Sequence, residues 1–141
     1  MDHKPSESVH AEAICRKVAE TLSSIPGIMV AIVYGSAVTG RMRPDSDVDV
    51  AVLFDRALDM AARLELWNKL TDALKREVDL VDLYDLGGEI LHQIMTKGRV
   101  VIKNDAHAYF LLMQRMVYNE EDFMPQVRRV LQKRVRRFAY G

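Results

Sequence analysis

A glycine and a serine, Gly35-Ser36, directly follow the apolar run Ile28–Tyr34, and ten residues later Asp47-Val48-Asp49 opens a second apolar run that reaches Phe54. Side chains on an extended strand alternate, so Asp47 and Asp49 project from the same face at one end of that strand. Two carboxylates held so close repel by roughly a few kcal/mol at an effective dielectric of about 20. Protonation of one of them, or a bound cation, relieves the repulsion. The glycine permits a tight turn and a close approach by a phosphate. Ser36 then falls at a helix N-terminus, where free N–H groups and a hydroxyl favour an anion. Hard oxygen ligands beside a phosphate-binding turn select magnesium, which takes one or two carboxylates and completes its shell with water and substrate phosphates. A third acid would complete a two-metal site, and the segment Val78-Asp79-Leu80-Val81-Asp82-Leu83 offers two. Asp79 and Asp82 are three apart on a strand and must face opposite ways, so only one can join the cluster.

These residues need a scaffold, and its elements are legible. Helical spacing runs from about Ser6 to Ser24, with Val9, Ala13, Val18 and Leu22 expected on one side, and Pro26-Gly27 ends it. Ile28–Tyr34, Val48–Phe54 and Val78–Tyr84 are short runs rich in β-branched residues, as strands covered on both faces are. Asp59–Arg76 has helical spacing through Ala62, Leu66, Leu70 and Leu74. A helix near Glu89–Thr96, an extended piece Val100–Lys103 and a helical tail capped by Asn104-Asp105 follow. The expected fold is a mixed α/β (α+β) domain, a small mixed β-sheet flanked by helices. It fills residues 1–141 as one unit, with a core of about 14–103 and a helical extension of about 104–141.

Composition narrows the function classes. With 141 residues and 49% hydrophobic content the chain can build one core, which excludes disorder and repeat architectures. The single cysteine, Cys15, closes no internal disulfide and reads as a small buried hydrophobe in a reducing compartment. No apolar run approaches the ~18 residues of a membrane span, and Met1–His10 is polar, so a cytoplasmic protein without membrane association is expected. The formal net charge is +0, which gives no global attraction to nucleic acid, and direct nucleic-acid binding is not expected. Charge is nonetheless sorted along the chain. From Gln126 onward there are six basic residues and no acidic one, leaving fourteen basic against twenty acidic residues in the remainder.

The GS-x10-DxD pattern, the flanking Gly40-Arg41 and Ser46, and the later VDLVDL resemble the minimal nucleotidyltransferases of the DNA polymerase β superfamily. The resemblance covers roughly Ile14 to Lys103. It implies that Gly35 and Ser36 bind the nucleotide triphosphate and that Asp47 and Asp49 hold two Mg2+ ions. It also implies that Asp79 is the third metal-binding and catalytic acid, activating the acceptor hydroxyl, with Asp82 as the fallback. The small size and the long helical ending further resemble the MNT antitoxins of HEPN/MNT toxin–antitoxin pairs. That likeness implies transfer of AMP from ATP to a tyrosine of a cognate HEPN-domain toxin, in a hetero-oligomer with it. Two other readings are an antitoxin that neutralises its partner by binding alone, and a transferase acting on a small molecule or RNA.

The remaining polar residues carry less. His3, His10, His92 and His107 have no second ligand at metal spacing and read as structural or surface residues. In the tail, Ala106, Tyr109, Phe110, Met113, Met116 and Val117 form a wide apolar stripe expected to pack on the core.

Overall fold

Ile14, Cys15, Val18 and Leu22 recur at helical spacing and form the buried stripe of helix α1 (Lys4–Ser23). The computed structural model describes residues 4–43 and 45–118, so the basic segment after Gln126 and His3 lie outside the described residues. The stripe differs from the expected one: Val9 is 68% exposed and Ala13 is exposed, while Ala11 is buried. Nine residues, or about two and a half turns, separate Val9 from Val18, which puts them on opposite sides of the helix.

The apolar runs become four strands: β1 (Val30–Tyr34), β2 (Val48–Leu53), β3 (Val78–Asp82) and β4 (Arg99–Lys103). They form one sheet in the order β3-β2-β1-β4, mixed as expected. β1 lies antiparallel to both β2 and β4, whereas β2 and β3 are parallel, joined by a crossover through α3 (Met60–Leu74). The third strand stops at Asp82 rather than Tyr84 because the Asp82 carboxylate accepts from the Tyr84 amide, at 3.0 Å, and turns the chain.

Helices cover both faces, which explains why the central strands are apolar throughout. On one face α1 and α3 pack Ile14, Val18, Leu22, Leu66 and Leu70 against Val33, Val50, Val52 and Leu80. On the other, α4 (Gly88–Lys97) and α5 (Ala106–Tyr118) bring Leu91, Ile94 and Leu112 onto Val30, Ile32, Ala51 and Leu53. Each fully buried Leu, Ile or Val side chain contributes about 1.5–3 kcal/mol. The outer edge of β3 does not stand open. Trp67 Nε1 donates to Val78 O at 2.8 Å and Arg63 Nη1 to Leu80 O at 3.5 Å, so α3 side chains occupy carbonyls that another strand would otherwise pair with.

Asp105 caps α5 by accepting from the Ala108 amide at 3.0 Å, while Asn104 instead donates from its amide to Ile28 O at 3.2 Å. The expected tail stripe is rotated. Ala108 and Leu112 are buried, Tyr109, Met113 and Met116 are half-buried, and Ala106, Phe110 and Val117 face outward. Apolar residues nearly encircle this helix, so periodicity could not choose the docked side. Arg115 helps choose it, donating to Leu83 O at 2.6 Å and Leu86 O at 3.0 Å in the β3–α4 connection. Among the described residues no helix is long and apolar enough to cross a membrane.

Candidate active site

Strand register brings the acids together. Asp49 of β2 is paired with Asp79 of β3 on one side and with Tyr34 of β1 on the other. Cross-strand partners share a face, so Tyr34, Asp49 and Asp79 project toward the side covered by α4 and α5. The acids sit at its more open end, where Asp79 and Asp47 are exposed and Asp49 is half-buried, while Tyr34 is buried beside them. The carboxyl groups of Asp49 and Asp79 are hydrogen-bonded to each other, and Asp47 acts on Asp49 through its charge. Asp82 faces the opposite way, as alternation requires. Its carboxylate accepts from the Leu58 amide at 2.8 Å and from the Tyr84 amide, so it serves the backbone. Asp79, and not the fallback Asp82, stands beside Asp49.

The Gly35 turn abuts these acids. Gly35 has φ +75°, a left-handed value that side-chain-bearing residues rarely adopt, and a Cβ there would land on the Asp49 carboxylate. Glycine is required twice over, by its backbone and by its neighbour. Ser36 begins α2 (Ser36–Thr39), a single turn in which the Val38 and Thr39 amides fold back onto Gly35 O at 3.1 and 3.2 Å. The Ser36 and Ala37 amides precede any carbonyl they could reach within the helix, which leaves them for an incoming oxyanion. Gly40, also left-handed at φ 80°, ends the turn and releases the chain toward Asp47.

Electrostatics at the cluster are unbalanced. Burial, then the Asp79 charge, the Asp47 charge and the hydrogen bond that the protonated Asp49 carboxyl donates to Asp79 push the Asp49 carboxyl up from 3.8 to about 6. Burial, then Asp49 and Asp79, likewise hold the Tyr34 phenol well above its ordinary value, so it stays protonated. Among the described residues no three acidic, histidine or cysteine side chains are gathered tightly enough to enclose an ion by themselves. The protein provides instead a carboxyl pair in contact with a third acid at electrostatic range. That open set of hard oxygens fits magnesium, which keeps water and substrate phosphates in its shell. A cation there would neutralise the charge that now raises Asp49.

Two features of the site escaped the sequence pattern. Tyr34 belongs to it through strand register alone. Arg76, just ahead of β3, reaches the chain leading into Asp47, where its Nη1 donates to Arg43 O at 3.1 Å and Ser46 O at 3.2 Å. Neither residue stands in a recognisable motif. Cys15 is buried, with its thiol pushed up by desolvation, and takes no part. His10 contacts Arg76, and His92 and His107 belong to α4 and α5, where no cluster of metal-binding side chains is found among the described residues.

A small mixed sheet that gathers acids from adjacent parallel strands beside a glycine-serine turn has the build of a nucleotidyltransferase. Residues 16–107 match the Polymerase beta, Nucleotidyltransferase family, and the chain belongs to that family. It is similar to the protein adenylyltransferase MntA of Shewanella oneidensis, with 40% identity over 76 residues that make up 54% of this chain and 55% of the relative. The chain thus matches about half the length of that curated relative. A solved toxin–antitoxin structure with AMP-PNP shares 26% identity at a TM-score of 0.63, covering 88% of this chain and 90% of the other. The tri-AMPylated Shewanella oneidensis HEPN toxin in complex with MNT antitoxin gives a TM-score of 0.55 at 23% identity, covering 94% and 91%, and shares the fold.

Proposed function

We propose that this protein is a magnesium-dependent adenylyltransferase of the cytoplasm that moves AMP from ATP onto a tyrosine hydroxyl of a cognate HEPN-domain toxin and so acts as its antitoxin. The observation that carries the reading is the meeting of Asp49 and Asp79 across the β2–β3 register, against a turn where only glycine leaves room. The name of the MntA relative and the AMP-PNP-bound toxin–antitoxin structure support ATP as donor and a toxin as acceptor.

The free Ser36 and Ala37 amides and the Ser36 hydroxyl receive triphosphate oxygens. Asp47, Asp49 and Asp79 would hold Mg2+, which supplies charge neutralisation on the attacking and leaving oxygens of an in-line displacement. Asp79, exposed at the outer strand, takes the proton of the acceptor hydroxyl. The acceptor oxygen bonds to the α-phosphorus while the bond from that phosphorus to the bridging oxygen of the β-phosphate breaks, and pyrophosphate leaves.

Incubating the protein with labelled ATP, Mg2+ and the neighbouring toxin should label the toxin, and Asp47→Asn or Asp49→Asn should abolish the label. Unchanged labelling in both variants sinks the mechanism. A doubly neutralised variant that still protects cells, with toxin of unmodified mass, would show neutralisation by binding.

A further inference from the structure

Asp47 is the exposed member of the acidic cluster that no strand pairing fixes, since the register of β2 with β3 begins at Val48↔Val78. Something else must hold it near Asp49. The chain on its N-terminal side is bound at two points to the residues that precede β3. Arg76 Nη1 donates to Arg43 O at 3.1 Å and to Ser46 O at 3.2 Å. On its C-terminal side the Val48 amide donates to Glu77 O at 2.9 Å. Asp47 is therefore clamped between neighbours whose backbones are tied to the dipeptide Arg76-Glu77, two residues upstream of Asp79.

We propose that Arg76 is a positioning residue of the acidic cluster, fixing Asp47 relative to Asp49 and Asp79 by gripping the carbonyls of Arg43 and Ser46. The loop it grips is preshaped: the Arg43 amide donates to Ser46 Oγ at 2.8 Å and the Ser46 amide to Arg43 O at 3.0 Å. That closed turn presents both carbonyls to one guanidinium group. Arg76 is itself aimed by its surroundings. Lys75 takes a left-handed φ of 57° at the end of α3, which turns the chain sharply before Arg76. Its Nη2 also meets His10 Nε2 of α1 at 3.2 Å, which limits its swing. A guanidinium group is permanently charged and binds carbonyls by charge-assisted hydrogen bonds, so the clamp persists across the working pH range.

The kinetic consequence rests on the proposed adenylyl transfer, whereas the structural one does not. In Arg76→Met, which keeps the aliphatic stem, hydrogen exchange of the 45–48 amides should rise about tenfold while the Val50 and Val52 amides stay as they were. The concentration of Mn2+ at half-saturation, followed by its paramagnetic signal in the free protein without toxin or ATP, should rise about tenfold as well. Arg76→Lys should recover part of both. In an Asp47→Asn background, Arg76→Met should change Mn2+ binding no further, because its effect passes through Asp47. Full Mn2+ affinity in Arg76→Met, or losses that multiply in the double variant, would overturn the assignment. Protein that binds Mn2+ with the expected differences but never labels the toxin would refute the transfer reaction and leave the clamp standing. Wild-type labelling matched by Arg76→Met would remove the clamp alone.

Discussion

Substituting Asp49→Asn should make the metal-free protein more stable while destroying its activity. In the folded chain the Asp49 carboxyl is pushed from 3.8 to about 6 by burial and by the charges of Asp79 and Asp47. A shift of about two units corresponds to at most about 3 kcal/mol, at about 1.4 kcal/mol per unit. Asp49 is only half-buried and its acidic neighbours are exposed, so solvent screening reduces this to about 1–2 kcal/mol. Because the folded carboxyl binds its proton more tightly than the unfolded one, its contribution to stability is fully present below pH 3.8 and is lost as pH rises through about 6. Asparagine never ionises, and its amide can donate to Asp79 as the protonated carboxyl does. Thermal unfolding in a chelator at pH 7.5 should therefore show Asp49→Asn melting about 3–6 °C above wild type, a gain that shrinks toward zero by about pH 4. A variant less stable than wild type at pH 7.5, or a gain of equal size at both pH values, would refute the electrostatic account of the cluster.

Adding Mg2+ in place of the chelator should raise the melting temperature of wild type and leave Asp49→Asn unmoved, as read by the same melts. Gly35→Ala should cost about 1–3 kcal/mol by denaturant titration, since it combines a φ of +75° with a Cβ placed on the Asp49 carboxylate, and should abolish transfer. Gly98→Ala should destabilise by about 1–3 kcal/mol for a different reason, a Cβ lying 2.5 Å from Ile32 Cγ2 and from Ile94 O, with activity retained per folded molecule. The two β3 acids should separate in a paired assay. Asp82→Ala should lose about 1–3 kcal/mol with its bonds to the Leu58 and Tyr84 amides yet still transfer AMP, whereas Asp79→Asn should stay folded and fail to.

The alternation of short β-branched runs with helical spacing was enough to specify strands at Ile32, Val50 and Leu80 and helices between them, because those runs are buried on both faces and lie between glycine, proline and aspartate turns. Local chemistry also singled out Gly35, Ser36, Asp47 and Asp49 as candidates, since a sharp turn after a strand and two acids on one strand face are short-range features. The alternation rule separated Asp79 from Asp82 without choosing between them. Tertiary structure made that choice, by pairing Asp49 with Asp79 across parallel strands and handing Asp82 to the Leu58 amide. It also decided which side of α5 docks, and it brought Tyr34 and Arg76 to the acids, because strand register and loop anchoring depend on contacts between residues far apart in the chain. Periodicity records which residues leave water; only packing settles what they meet when they do.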